Sequence, residues 1–306
     1  MAKSKIETDP GLNVRMFLTG LALVVLYLII TTLLIYLGVA YGLVIVIVAG
    51  LIFSQYYFSD KIAMFSMHAH EVTATEEPRL HEIVDRLCLL ANMPKPRVGV
   101  AEMDIPNAFA TGRSPSHAVI CATRGIMTRL SDEELEAVLA HELSHVAHRD
   151  VAVMTIASGL GMIAGLLTRV MFYTQIFGGG GGGNNNNSQS QLVFIEMIVM
   201  LVSVVVYFIS FLLTMALSRY RELSADRTGA LLTGNPSALA SALQKVSGDI
   251  STIPDRDLRQ MESVSAFAFA PALTDKFSMS TLFSTHPPLE KRLEQLAQIS
   301  TQLGQR

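Results

Sequence analysis

Residues 137–150 read AVLAHELSHVAHRD and contain His141-Glu142-Leu143-Ser144-His145. On a helix, positions four apart share a face, about 40° round the axis and about 6 Å along it. Two imidazoles so placed can converge on one ion, and zinc accepts such nitrogens at about 2.0–2.1 Å. Glu142 falls about 60° further round than His145. From there it reaches a water at the metal without becoming a ligand, which is the placement of a general base. With 8 histidines in 306 residues, chance gives this spacing in roughly 1% of such chains. The chemistry on offer is metal-assisted hydrolysis, against the plainer reading of a solvated helix face.

Catalytic zinc needs a third protein ligand and one open position. His148 lies about 4.5 Å beyond His145 along the axis, so one straight helix does not bring all three imidazoles to one ion. No glycine follows His145 to turn the chain, as a metzincin would require. His148 is therefore left on the surface or beside the ligands. Glu222, in SRYRELSADRTGA (218–230), is the better candidate. An apolar stretch starts at Val151, about 9 Å along a helix from His145, and another ends at Ser218, about 6 Å before Glu222. If the two stretches are antiparallel neighbours, Glu222 returns to the level of the histidines. Asp226 is one turn further on the same face and can accept from the distal nitrogen of a ligand histidine, fixing its tautomer. Ala225 and Gly229 are small enough to admit a second helix closely. The alternative is that these charges only line the end of an apolar helix.

Those apolar stretches dominate the composition. Half the residues are hydrophobic and 16% are charged, against about 25% charged in an ordinary soluble domain. Mean hydropathy is +0.41. Net charge is −3 with no basic block, so nucleic acid is not an expected partner. Cys88 and Cys121 form neither a C-x-x-C pair nor a disulfide framework. From Met16 to Ser59 no residue is charged. One helix of that length would be about 66 Å long, twice the ~30 Å hydrocarbon core of a bilayer. The run therefore reads as a hairpin of two crossings, turning near 38–42. It is too long for a cleaved signal peptide, and no A-x-A site follows it. Val151–Phe177, interrupted by Arg169, and Met197–Ser218, preceded by Glu196, form a second apolar pair. They either cross as a second hairpin, or form a hairpin that dips into one leaflet or packs on the soluble domain. Between them GGGGGGNNNNSQS (178–190) reads as a flexible solvent loop. Lysines and arginines precede the first span and populate 61–149 and the chain after Arg219, while the two turns carry none. The positive-inside rule then puts the termini and the chemistry in the cytoplasm.

The remaining segments must build the site. Glu76–Asn92 repeats Leu80, Ile83, Leu87 and Leu90 at helical spacing. Three strands are expected over 97–103, 107–112 and 117–123, the last two joined by a turn at 113–116. Ser131-Asp132-Glu133-Glu134 is a capping box opening the His141 helix. His286-Pro287-Pro288 opens a last amphipathic helix with Leu289, Leu293, Leu296, Ile299 and Leu303 on one face. Zincin sites bind substrate as an extra strand on a sheet edge. Either Asn107-Ala108-Phe109-Ala110-Thr111-Gly112 or 117–123 is that edge, or the segment is buried sheet core.

PNAFATG (106–112), AHELSHVAHRD (140–150), SRYRELSADRTGA (218–230) and THPPLEKRL (285–293), in this order and with paired apolar spans, resemble the HtpX group of membrane zinc metallopeptidases, family M48, relatives of the CAAX prenyl proteases. The resemblance implies an α+β, zincin-like and mostly helical domain with a small sheet, fused to four transmembrane helices. It implies one Zn2+ per chain held by His141, His145 and Glu222, with Glu142 as the base, and a role in membrane-protein quality control. Asp226 matches a motif residue. His286 matches a residue near the cleft, where it either steadies the oxyanion or caps the last helix. The expected organisation is an N-terminal transmembrane hairpin (1–59), a first cytoplasmic part with the paired histidines (60–150), a second hairpin (151–218) and a second cytoplasmic part with the third ligand (219–306). The expected activity is zinc-dependent endoproteolysis of misfolded or damaged membrane proteins, copies of itself included, at the cytoplasmic face of a bacterial plasma membrane. Membrane lipids are the other expected partner. The rivals are a CAAX-type prenyl protease, which needs more spans than this chain has, and a non-catalytic membrane scaffold.

Overall fold

A computed structural model describes residues 10–36, 42–177, 186–251 and 286–304. The helices are α1 (Pro10–Tyr36), α2 (Gly42–Tyr57), α3 (Ser59–Ser66), α4 (Pro78–Ala91), α5 (Arg124–Arg129), α6 (Asp132–Ala147), α7 (Asp150–Phe177), α8 (Asn186–Thr233), α9 (Pro236–Ser251) and α10 (Leu289–Gly304). The strands are β1 (Ala69–Glu71), β2 (Arg97–Ala101), β3 (Ala108–Thr111) and β4 (Val119–Thr123). The chain divides into two units, one of 1–14, 55–152 and 218–306, the other of 15–54 and 153–217.

The first unit is built round a sheet in the order β1-β2-β4-β3. β2 and β4 run parallel, with Val98 opposite Ile120, while β1 and β3 run antiparallel to their neighbours. The central strand β4 (VICAT) is buried along its whole length, as a strand covered on both faces must be. Alternation sorts its side chains. Ile120 and Ala122 join Val98, Val100 and Ala108 in the main core against α4, α6 and α9. Cys121 faces the other way, with Phe109 and Ala101, against Ala63 and Met67. The sheet thus supports α6 on one face and α3 on the other.

Local chemistry sets the ends of these elements. The strands are shorter than 97–103, 107–112 and 117–123. After Ala101 the chain turns at once, the amide of Met103 donating back to Ala101. Gly112 ends β3 at φ +135°, where a Cβ would stand 2.5 Å from the His117 carbonyl, so only glycine fits. His117, expected to open the last strand, instead closes a 3-10 turn over Pro115–His117. In α4, Leu80, Ile83 and Leu87 are buried as expected, but Leu90 is exposed and Ala91 takes its place in the core. α4 stops at Asn92, which adopts the left-handed conformation that favours asparagine at a helix end. The capping box of α6 is present. Ser131 Oγ accepts from the Glu134 amide at 3.3 Å, and Glu134 Oε2 accepts from the Ser131 amide at 2.9 Å.

The second unit consists of apolar helices from α1, α2, α7 and α8. Leu23, Ala157, Ala164, Val199, Val206 and Leu217 form its interior. α2 and α7 approach closely at Gly159, where a Cβ would meet Ile52 Cδ1 at 2.6 Å. Among the described residues, Met197–Thr233 is the one helix long and apolar enough to cross a membrane, or one of two if the pair Asp132–Ala147 and Asp150–Leu166 counts as a single broken span. Val14–Ile29 is apolar but shorter. Residues 38–41 of the expected turn and 178–185 of the expected loop lie outside the described residues, and Gly42 begins α2. Asn186–Ser190, expected as loop, begin α8 instead.

Candidate metal centre

α6 carries His141 and His145 on one face, and the C-terminal part of α8 lies against it. The approach is close because the facing residues are small. Gly229 leaves no room for a Cβ, which would stand 2.9 Å from the His141 amide nitrogen, and Ala225 and Ala230 are wholly buried. Ser144 Oγ reaches the Ala225 carbonyl at 3.3 Å. This contact brings Glu222 to the histidines. His145 Nε2 lies 3.2 Å from His141 Nε2 and 3.4 Å from Glu222 Oε1, and His141 Nε2 lies 3.6 Å from Glu222 Oε2. The rings meet edge to face, 87° apart. Among the described residues this is the one group of three or more potential ligands gathered closely enough for one ion.

The donor set fits a divalent cation. His141 Nδ1 is 2.9 Å from Asp226 Oδ1, and His145 Nδ1 is 2.5 Å from Asp150 Oδ2. Each Nδ1–H donates to its carboxylate, which leaves both Nε2 lone pairs pointing into the space they share with Glu222. Three lone-pair donors facing one another repel unless a positive charge lies between them. Tetrahedral ligands at about 2.05 Å from zinc stand roughly 3.3 Å apart, and the observed separations bracket that value. In this pocket burial opposes a charged His145 ring, but the hydrogen bonds of Asp150 and Glu222 prevail and push its pKa up to about 10. The surroundings favour positive charge.

Glu142 is not one of the converging groups. It is buried beside them, and its Oε2 accepts from the Ala110 amide at 3.1 Å. Burial raises its carboxyl above the usual range, against the pull of the neighbouring histidines. Ala110 belongs to β3, which is the sheet edge, whereas β4 is interior. The Thr123 amide donates to the Asn107 carbonyl, so by antiparallel alternation 107, 109 and 111 bond to β4, and the backbone of 108 and 110 faces away from it, covered at Ala108 and partly exposed at Ala110. Asn107 and Phe109 are buried within the sheet, so the segment is both an edge and part of the core.

Several site residues differ from expectation or were not foreseen. His286 Nδ1 lies 2.9 Å from Glu222 Oε2. It does not cap α10, whose first turn closes on the Pro288 carbonyl. Arg292 is buried in α10 and forks onto Asp226 with bonds of 2.7 and 2.6 Å. Arg221 pairs with Asp150 at 2.9 Å. Each histidine therefore rests on a carboxylate that rests on an arginine. Asp150 closes the quoted AHELSHVAHRD stretch and follows His145 by little more than a turn; that spacing was the available signal. His148 ends α6 and stays out of the cluster.

The comparisons agree with this geometry. Residues 74–300 match the family model of Peptidase family M48. The chain is 53% identical over 303 residues to "Protease HtpX homolog 1" of Streptomyces coelicolor, covering 99% of this chain and 97% of that protein. It is 47% identical to "Protease HtpX homolog" of Moorella thermoacetica and 45% identical to "Protease HtpX homolog 2" of Methanosarcina acetivorans, over nearly full length in both cases. The crystal structure of S. mikatae Ste24p shares the fold, with a TM-score of 0.55 at 15% identity over 94% of this chain and 67% of that one. A mostly helical fold with a small sheet, the paired histidines facing Glu222, and relatives of this closeness lead to one conclusion: the chain belongs to peptidase family M48 and is a metalloprotease of the HtpX type.

Proposed function

We propose that this metalloprotease is a zinc-dependent endopeptidase, anchored in a bacterial plasma membrane by four apolar helices, that cuts misfolded or damaged membrane proteins from the cytoplasmic side. The observation that carries the reading is the convergence of His141 Nε2, His145 Nε2 and Glu222, with both Nδ1 atoms committed to carboxylates. His141, His145 and Glu222 would hold the zinc. Zinc, when bound, polarises the scissile carbonyl and lowers the pKa of water to near neutrality.

The chain's own groups do the rest. Glu142 takes a proton from the attacking water and returns it to the leaving amine. The Ala110 amide fixes the carboxylate. An extended substrate adds to the side of β3 away from β4, its backbone meeting the carbonyl of Ala110, so affinity is independent of side chains. That suits an enzyme that clears unfolded segments. His286, on the Glu222 oxygen away from the closest His145 contact, holds that carboxylate in orientation.

The membrane reading is supported by helices that are apolar all round yet largely uncovered. Phe17, Leu18, Val24, Leu28, Leu201, Val205 and Phe208 are all exposed, which suits lipid rather than water. The distribution of lysine and arginine supports the cytoplasmic side.

Protein purified in detergent should contain one zinc per chain by elemental analysis and should cleave casein. Glu142→Gln should retain the zinc and lose cleavage by at least about a hundredfold. Cleavage at the wild-type rate by that variant would overturn the mechanism, and absence of bound metal would overturn the ligand assignment.

A further inference from the structure

α3 follows α2 after a single residue, Phe58, and has two unlike sides. Its inner side is fixed to the sheet. Ala63 and the following Met67 are fully buried, Asp60 binds Arg97 at 2.5 Å, and Met64 lies over Gly99. Its outer side is apolar and open, with Phe58 40%, Ile62 44% and Phe65 85% exposed. At that spacing the three side chains fall within an arc of about 60°. Lys61 flanks them, 5.8 Å from the Phe58 ring centre. Immediately before them, the Tyr56 hydroxyl donates to the Arg113 carbonyl at 2.8 Å, and the Arg113 guanidinium stands 4.4 Å over the Tyr57 ring. Aromatic rings and cations thus gather where an apolar helix ends. Such a mixture suits the boundary between acyl chains and headgroups, where rings lie half in lipid and cations meet phosphate.

We propose that α3 lies in the plane of the membrane surface, with Phe58, Ile62 and Phe65 entering the lipid and Lys61 and Arg113 meeting its headgroup phosphates. This rests on the membrane-anchored reading above. The occupant of the apolar face is lipid rather than a second protein, because the face continues directly from the end of α2 and is rimmed by cations next to tyrosines. The consequence concerns substrate. Arg113 follows Gly112 at the end of β3, so the open edge beside Glu142 is tied through Tyr56 and Tyr57 to the bilayer surface. Segments leaving the membrane would meet that edge first.

The chain has no tryptophan, so Phe65→Trp introduces a single indole at an exposed position. Val24→Trp, at an exposed position in the middle of α1, serves as the control for a spanning helix. Each full-length variant is reconstituted into phosphatidylcholine–phosphatidylglycerol vesicles containing lipid brominated near the glycerol or near the chain end. The α3 indole should be quenched severalfold more by the shallow bromines than by the deep ones, and the α1 indole the reverse. If the α3 indole answers to acrylamide and not to lipid while the α1 indole answers to deep bromines, α3 faces water and the inference falls with the anchor intact. Deep quenching of the α3 indole would make α3 part of a span and also overturn it. So would an α3 indole shielded from both quenchers, the mark of a protein partner. If the α1 indole answers to no brominated lipid, the membrane reading itself fails.

Discussion

Asp150 accepts a hydrogen bond from His145 Nδ1, Asp226 faces His141 Nδ1 at 2.9 Å, and Arg221 and Arg292 hold those carboxylates in turn. Fixing the tautomer this way keeps Nε2 a lone-pair donor, and loss of such a partner ordinarily weakens metal affinity about 10–100-fold. Asp150→Asn should show that loss in zinc competition against a chelating dye; unchanged affinity would mean that Asp150 serves only to pair Arg221. Arg292 is a different case. It is fully buried with Asp226, and removing one member of a buried pair costs about 3–5 kcal/mol. Arg292→Met should lower the unfolding temperature in detergent accordingly, and Arg292→Met with Asp226→Leu should recover part of it. His141, Glu142 and His145 were legible because their relation is local, fixed by helical geometry within one turn. The arginines were not, because Arg292 meets Asp226 and Glu222 from a helix far along the chain, and no spacing rule reaches that distance. His286 was singled out, but its partner could not be read.

Two elements can be tested as elements. Glu134 closes the cap of α6 and also accepts from Ser241 at 2.6 Å and Lys245 at 2.8 Å. Burial works against its charge, but those bonds prevail and lower its pKa to about 2, from an ordinary 4.5. A carboxyl depressed on folding stabilises the fold above the unfolded value and loses that contribution as pH falls through the folded one. The wild type should therefore lose stability between about pH 4.5 and 2, and Glu134→Gln should lose less over that window by thermal melts. β3 offers the second test. The Ala110 amide faces the open edge rather than β4, so proline is compatible with the ladder there. Ala110→Pro should leave zinc content unchanged while cutting cleavage; unimpaired cleavage would show that the amide matters neither to Glu142 nor to substrate. At this scale, periodicity announced α4 and α10 because each buries one face, and the capping box announced α6, which is buried nearly all round. Periodicity missed β1, too short to carry a pattern, and α3, whose buried side is only Ala63, Met64 and Met67.

The peptidase unit is discontinuous, since the apolar helices interrupt it between the paired histidines and Glu222. That division is visible in charge and hydropathy alone, and the return of the chain after its last apolar stretch is what singles out Glu222. The same discontinuity fixes when activity can begin. The first part supplies His141, His145 and Glu142, the apolar stretches of α7 and α8 follow, and only then arrive Glu222 and, last, His286 and, on α10, Arg292. A chain that ends before Glu222 holds only two of the three converging groups. Ribosome-stalled chains ending before 222 should accordingly retain little zinc and cleave nothing, whereas chains carried past α10 should hold zinc and cleave. The order of synthesis keeps the cluster incomplete until the far end of α8 has been made.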